Sequence, residues 1–564
     1  MYRCLTINEI LEIVFAYVDG YEYIEGFPAI KCRKTSALST LAALACTCKT
    51  FRDVAQDVLW REIPDISVLI CHLLPEEIQS YKASERTLYL TSNATEATWD
   101  RLDKFVTRIR FIGRRLPYPS AVRCRLDGPS ILQPLEHYLQ RRFGRPFPKL
   151  ADVIYQHHWS HPAYVRLLLL PQILTVRFPL DAFRDEIQDV GPHYYDDSAW
   201  YGSGNPARQL IAKTIPGMHS LKTVWLEDGL LAEYPVMSHL ASLSTLEELW
   251  MDSHHADTDM TIPQTTRRFS SLRRLYLTGL WPGTPPADFL SYIKPASLQS
   301  LTFKWIHYNY EDERTGPRRL RHFFSVLSTT KPRRLEHVTA AARGDERSLE
   351  KTFIPSGSHP VGGGYLRCLE KGGKYLRSLC DITSLRTIKL EIDVVFQLSD
   401  DFLIQLASSL PHLEHLSTIP GVLYAFKLLP TFSGLLALVE NCPRLSILRL
   451  AVRTVFPKAQ EDGDTATGSH PVLLTSSMRI FDLFTTPVSE GVEASTVSAF
   501  LKSTFPNLER FRVALQASHE PDFSAEEREN ACAQWSRIVE AMVEARLERD
   551  TDMNIDSLRA WYVR

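Results

Sequence analysis

At 564 residues the chain is too long for one compact core, so several domains or a repeat array is expected. Apolar residues at 44% and aromatics at 10% suffice for burial and exclude disorder over most of the length. A formal net charge of −2 supplies no basic field, which argues against a dedicated nucleic-acid binder.

The ten cysteines form no C-x-x-C pair, and several, such as Cys442 and Cys532, sit within apolar helical patterns. They are expected to be reduced and buried, in a cytoplasmic or nuclear protein. Residues Met1 to Thr6 show no apolar run of the secretory kind. The richest apolar run, Val165 to Leu170, is too short to span a bilayer, so no membrane partner is expected.

The first segment carries a helix start signal. In Thr6-Ile7-Asn8-Glu9 the hydroxyl can accept from the Glu9 amide while the carboxylate reaches back. Ile7, Ile10, Leu11, Val14, Tyr17 and Val18 then recur at helical spacing. A polar, glycine-containing stretch spans Asp19 to Ser36. A second stripe runs through Leu41, Leu44, Ala45 and Cys48 into Phe51, Val54, Ala55, Val58 and Leu59, closing on Trp60-Arg61-Glu62-Ile63.

This order of an E-I-L opening, a central L-x-x-C-x-x-F-type helix and a closing L-W-R-E over residues 5–63 resembles an F-box. Fungal F-box proteins with large, degenerate repeat regions are the nearest likeness. The proline that usually precedes the glutamate is replaced by Ile7-Asn8, and the Thr6 cap can supply much of its role in setting the first turn. The resemblance implies docking onto the adaptor subunit of an SCF-type ubiquitin ligase, and through it onto a cullin. Ile10, Leu11, Val14, Leu41, Leu44, Cys48, Leu59 and Trp60 are the candidate adaptor contacts, since an apolar helix face would lie in a partner groove.

Over 64–145, Leu88-Tyr89-Leu90 and Ile109-Arg110-Phe111 read as strands, with Trp99, Leu102, Phe105 and Val106 on a helix between them. Beyond this the pattern L-x-x-L-x-L recurs. It begins at Leu221, Leu246, Leu272, Leu298, Leu385, Leu413, Leu445 and Leu508, and more weakly at Leu150, Ile173, Leu335 and Met478. Gaps of 25, 26 and 26 residues separate Leu221, Leu246, Leu272 and Leu298, within the leucine-rich-repeat range. Helical stripes lie between, several ending at proline as in Leu410-Pro411, Cys442-Pro443 and Phe505-Pro506. Strand alternation directs the first, fourth and sixth positions inward and leaves Trp225, Trp250, Tyr276 and Lys304 near outward slots. The asparagine of regular leucine-rich repeats is mostly missing, which makes the array irregular.

The fold expected is α/β. A short all-α F-box-like module (1–63) leads through a connecting, solenoid-opening region (64–145). An irregular leucine-rich-repeat solenoid with insertions (146–523) comes next, then a C-terminal capping helix (524–564) with Trp535, Ile538, Val539 and Met542 on one face. The polar stretch Pro457 to Pro471 reads as a disordered insertion.

No Walker loop, nucleophile elbow or H-E-x-x-H motif occurs, so catalysis, a cofactor and a metal are not expected. His157, His158 and His161, and Asp252, His254, His255, Asp257 and Asp259, have metal-ligand chemistry without the spacing of a site. Arg318, Arg319 and Arg321 belong to a basic stretch from Arg314 to Arg334, where Leu320, Phe323, Phe324 and Leu327 form an apolar face. They read as a solvated helix face or as a reader of acidic or phosphorylated partners. Tyr194, Tyr195 and Trp200 lie on an aromatic loop suited to packing or recognition. Together with the resemblance, these features imply a substrate-recognition subunit that holds an unknown protein substrate. The alternative is a leucine-rich scaffold with no ubiquitin-ligase role.

Overall fold

The computed structural model describes residues 8–24, 27–82, 87–91, 94–113, 125–155, 161–178, 206–227, 234–253 and 269–279. It also describes 289–290, 297–307, 315–330, 332–344, 376–392, 398–420, 429–455, 477–485, 493–515, 525–547 and 562–563. The chain divides into two compact units. One comprises Met1–Asp252 with Pro263–Arg267, the other Ser253–Ile262 with Arg268–Arg564. The fold is mixed α/β, and each unit is built on a parallel sheet.

The first unit opens with α1 (Asn8–Val18), α2 (Thr35–Thr47) and α3 (Lys49–Leu59). The polar stretch between α1 and α2 forms an antiparallel hairpin of β1 (Tyr21–Ile24) and β2 (Phe27–Arg33). Leu11, Phe15, Leu41, Val54, Ala55 and Val58 make a closed apolar core, with the Phe15 and Phe51 rings edge to face at 5.4 Å. The second apolar stripe is not one helix. Cys48 is extended, with φ −155° and ψ 165°, and splits it into α2 and α3.

Then come β3 (Glu62–Ile63), α4 (Ile66–Leu73), β4 (Gln79–Lys82), β5 (Thr87–Leu90), β6 (Phe111–Ile112) and β7 (Arg125–Leu126). Asp65 starts α4 by accepting from the Ser67 amide at 2.6 Å. Strands β4, β5 and β7 form a small separate sheet. The main sheet of this unit runs β3, β6, β8 (Asp152–Ile154), β9 (Thr175–Arg177), β10 (Thr223–Glu227) and β11 (Glu248–Ser253), all parallel. Trp99, Leu102 and Val106 are buried on short helical turns between β5 and β6, matching the stripe expected there.

The second unit continues the same construction. Its parallel strands are β12 (Arg274–Gly279), β13 (Ser300–His307), β14 (His337–Gly344), β15 (Thr387–Ile392), β16 (His415–Pro420), β17 (Ile447–Val452), β18 (Ile480–Thr485), β19 (Arg510–Leu515) and β20 (Tyr562–Val563). Helices cover one face. Phe303 of β13 stacks on Phe323 of helix Thr315–Thr330 at 4.9 Å, and Phe481 of β18 meets Phe505 at 5.2 Å.

The register explains the sequence pattern. Leu275, Leu301, Val338, Ile388, Leu416, Leu448, Phe481 and Phe511 are the fourth positions of their segments, and all are buried. From Leu275 to Phe511 each is the register partner of the next. In the first unit Ile63, Ile112, Val153, Val176, Val224 and Leu249 do the same. Each leucine, isoleucine or methionine three residues earlier, from Leu150 to Leu508, is also buried. The proline-punctuated helix ends share one backbone shape. Leu410 has φ −124° and ψ 64°, Cys442 −116° and 73°, Phe505 −124° and 63°. A turn comes next, in which the Leu413 and Leu445 amides donate to Leu410 and Cys442 carbonyls at 3.1 and 3.0 Å.

A single carbonyl then pins each strand to the next. The Arg386 oxygen accepts from both Glu414 and His415 amides, the Glu414 oxygen from Ser446 and Ile447, and the Arg479 oxygen from Glu509 and Arg510. In the first unit Arg61 receives Arg110 and Phe111 in the same way. Hydroxyls one residue before the segment add a further tie. Thr245, Ser297 and Ser384 donate to the carbonyls of Leu221, Leu272 and Leu335, each at 2.8 Å.

Elsewhere Asp400 joins two helices. Its carboxylate accepts from the Thr431 amide at 2.7 Å and the Gly434 amide at 3.1 Å, and a Cβ on Gly434 would stand 2.6 Å from that oxygen. At the C-terminus helix Ala525–Leu547 buries Trp535, Ile538, Val539 and Met542 and packs against β19 and helix Ala494–Thr504. Among the described cysteines the expected burial holds for Cys380 and Cys442, and Cys71 is half-buried. Cys46, Cys48 and Cys532 are exposed, because their positions fall outside the buried apolar stripes. The expected insertion Pro457–Pro471 lies outside the described residues.

Removing a stacked leucine leaves a cavity that neighbouring strands on both sides cannot close. Leu301→Ala should therefore cost about 2–5 kcal/mol in urea denaturation, while Thr302→Ala on the opposite face should change stability by less than about 0.5 kcal/mol. Equal effects at the two positions would contradict the inward–outward assignment.

Candidate functional site

Helix α1 presents two faces of different character. Leu11 and Phe15 point into the core at 1% and 2% exposure, whereas Ile10, Ile13, Val14 and Tyr17 stand exposed at 36%, 68%, 44% and 91%. These four follow the i, i+3, i+4, i+7 spacing of one helical face. Water meets an apolar row where a helix capping a sheet would ordinarily be polar.

The other expected contacts divide between surface and interior. Leu41 is fully buried, so it and Leu11 hold the module together and offer no surface. Leu44 and Leu59 are half-buried against the core, and Cys48 is exposed between α2 and α3. Trp60 is half-buried, its ring edge-on to Phe105 with centroids 4.6 Å apart. Arg108 fastens the same region. Its guanidinium lies 3.0 Å from Asp57 of α3 and donates to the Asp53 carbonyl at 3.1 Å. Ile13 and Tyr17, the most exposed of the row, are not among the contacts expected from the sequence. Spacing alone puts Tyr17 on the same stripe as the buried residues, and Ile13 follows Ile10 by three residues on the exposed face, opposite Leu11.

The outward faces of the two sheets carry different chemistry. In the first unit Arg177, Trp225 and Trp250 are register partners. The Trp rings stack at 4.2 Å, and the Arg177 guanidinium lies 4.6 Å from the Trp225 ring centre. Trp225 is thus outward-facing yet only 3% exposed, covered by its neighbours.

In the second unit the outward row is polar. Lys389, Ser417, Arg449, Asp482 and Arg512 are successive register partners on β15 to β19. The Asp482 carboxylate is held by Arg449 at 2.9 Å and Arg510 at 3.0 Å. His415, two residues before Ser417, is pushed down to about 4 by burial and by the neighbouring Lys389 and Arg449 charges. Burial alone raises the Cys442 thiol to about 12, so that cysteine is an inert packing residue.

Arg318, Arg319 and Arg321 fall on helix Thr315–Thr330, whose Phe323, Phe324 and Leu327 are buried, and their side chains lie outside the described residues. Tyr194, Tyr195 and Trp200 lie outside them too, as do His157, His158, His254, His255, Asp257 and Asp259. His161 caps helix Pro162–Leu168, its Nδ1 accepting from the Ala163 amide at 3.2 Å. Among the described residues no group of three or more His, Cys, Asp or Glu side chains could hold a metal ion. Among them also, no helix is long and apolar enough to cross a membrane.

The His415 imidazole fixes a sign for acid sensitivity. Its pKa falls from the ordinary 6.5 to about 4 on folding, so the unfolded chain binds the extra proton first. Stability contributed by neutral His415 is complete above about pH 6.5 and is lost as pH drops toward 4. His415→Gln should flatten that part of the pH–stability curve measured by denaturant titration. An unchanged slope between pH 6.5 and 4 would show that His415 titrates normally.

No family model matches the chain, and comparison with curated protein sequences gives no match.

Proposed function

We propose that the chain is a non-catalytic substrate receptor of an SCF-type cullin-based ubiquitin ligase. In this reading α1–α3 form the F-box and dock on the adaptor subunit. The parallel sheets form an irregular leucine-rich-repeat solenoid that holds a protein substrate, and ubiquitin transfer is done by other subunits. The receptor contributes proximity, since tethering two reactants raises their effective concentration.

The observation that carries the reading is the exposed apolar row Ile10, Ile13, Val14 and Tyr17. A helix that only caps a stacked array needs a polar outer face. An amphipathic helix that lies in a partner groove needs an apolar one, with aromatic anchors favoured as hot spots. The sequence likeness over 5–63 supports the same docking.

The alternative, a scaffold whose helices merely cap the sheet, finds support in Trp60 against Phe105 and Arg108 against Asp57. Those contacts account for the inner side of the module. They give no reason for isoleucine and tyrosine on its outer side.

The test is a titration of the full chain with a purified SCF adaptor subunit. Ile13→Asp combined with Tyr17→Asp should weaken binding by about a hundredfold or more, at two anchors worth roughly 2 kcal/mol each, with the melting temperature unchanged. Leu11→Ala should instead lower stability by about 2–5 kcal/mol, because that side chain is core. Unaltered affinity of the double variant would move docking off α1. No adaptor binding by the wild-type chain would favour the scaffold.

A further inference from the structure

The spacing basic-basic-x-Ser occurs twice in the chain, as Arg33-Lys34-Thr35-Ser36 and as Arg267-Arg268-Phe269-Ser270. Cations three and two positions before a serine are the charge pattern that a basophilic serine kinase reads with carboxylates of its substrate cleft. Such a cleft grips its substrate in extended form, so the residues around the acceptor must be able to leave the fold. Both serines are exposed, and their surroundings tell them apart. At the second copy Phe269 is buried with its ring 6.0 Å from that of Phe289, and Leu272 is fully buried. Drawing Ser270 into a cleft would take an aromatic side chain out of the core.

The first copy meets no such obstacle. Arg33 ends β2 opposite Tyr21, and Lys34 is extended at φ −69° and ψ 136°, so both basic positions already have strand-like backbone. Thr35 and Ser36 open α2, and Lys34 supplies no side-chain cap to that turn. The turn is tied by the Ala37 and Leu38 amides, which donate to the Lys34 carbonyl at 3.1 and 3.2 Å. The Thr40 hydroxyl adds one bond to the Ser36 carbonyl at 2.8 Å. Ala37 is buried in this turn, whereas the core contact of α2 is Leu41, a full turn further on. Unwinding Thr35–Ser36 therefore uncovers a methyl group and leaves the rings of the module in place. Helix ends open far more readily than whole domains, because their first amides have no acceptor within the helix.

We propose that Ser36 is a phosphorylation site for a serine kinase that selects basic residues, and that the phosphate steadies α2. Ser36 Oγ attacks the γ-phosphorus of ATP. The Oγ–P bond forms, the bond from that phosphorus to the β–γ bridging oxygen breaks, ADP leaves, and the hydroxyl proton passes to the kinase's base. The product places about 1.5 to 2 negative charges on the first turn of a helix that has no acidic residue there. The positive end of the helix dipole and the adjacent Lys34 charge both favour that phosphate. Because α2 contributes Leu41 to the core with Leu11 and Phe15, a firmer first turn tightens the helical module. This modification is independent of what the module docks on.

The experiment incubates the full chain with ATP radiolabelled in the γ-phosphate and the purified catalytic subunit of cyclic-AMP-dependent protein kinase, which selects this spacing. Mass spectrometry then maps the phosphate. Incorporation should approach one phosphate per chain, on Ser36. Ser36→Ala should lower it by about tenfold or more, and alanine is the best helix former, so the variant keeps α2. Arg33→Gln should slow it by about tenfold or more through the lost charged contact, while Ser270→Ala should leave it unchanged. Hydrogen exchange of the purified phosphorylated chain should be slower over the α2 amides by about threefold or more at low salt. That protection should shrink at high salt, where the phosphate is screened. Absence of incorporation, phosphate on Thr35 or Ser270, or undiminished labelling of the Ser36 variant would overturn the site. Unchanged or faster exchange in α2 after stoichiometric labelling would overturn the steadying role.

Discussion

Everything in this fold depends on a shared backbone carbonyl. In successive segments within each unit the residue after the first apolar position turns its C=O toward two successive N–H groups of the following segment, as Arg386 does for Glu414 and His415. That bond fixes register before the strand begins. A strand has a side-chain period of two, so a slip of one residue would turn Leu416 and Leu448 outward and bury Ser417 and Arg449. The cost would be a set of apolar groups in water and a charge in the core, which makes the register nearly obligatory.

Once register is fixed at the start of each strand, the residues beyond its far end are free to vary. The intervals between segments are uneven, and the additional residues fall after the strands in the chain, so the entry turns stay alike. Outward positions are equally free. The first unit spends them on stacked tryptophans, and the second on arginine, lysine and serine. A charge ladder at the second position, with Arg386 3.7 Å from Glu336 and 3.0 Å from Glu414, runs along the sheet entry. Such half-exposed pairs contribute little each, so their role is to favour the correct neighbour more than to add stability.

Much of this is legible in the chain. The recurring L-x-x-L-x-L segments correspond to strands because three apolar residues at those offsets suit only one side of a strand with its entry turn. The weakly matching segments at Leu150, Ile173, Leu335 and Met478 take the same place as the strong ones. Two further segments escape the pattern. Trp60 to Ile63 and Ile109 to Ile112 have the apolar pair three apart, but their strands are two residues long and lack a sixth-position leucine. Sequence proximity attaches Trp60 to the helical module, whereas its ring packs on Phe105. The hydroxyls of Thr245, Ser297 and Ser384 have a signal, a serine or threonine immediately before the leucine, that pattern matching on apolar residues passes over. On α1 the sequence shows apolar residues nearly all round, and periodicity alone cannot tell Leu11 from Ile10. Burial separates them. The polar row is hidden in the sequence because its members come from β15 to β19, more than a hundred residues apart, and only the register brings them into line.

The most direct measurement of the central claim is oxidative cross-linking of paired cysteines introduced across neighbouring strands, mapped by mass spectrometry. Thr302 and Thr339 are register partners on the outward face of β13 and β14, so Thr302→Cys with Thr339→Cys should form a disulfide readily under mild oxidation. Thr302→Cys with Val338→Cys, offset by one residue, places the second sulfur on the buried face and should remain reduced in the folded chain. Preferential cross-linking of the offset pair, or equal yields from both, would contradict a register fixed by the shared carbonyls.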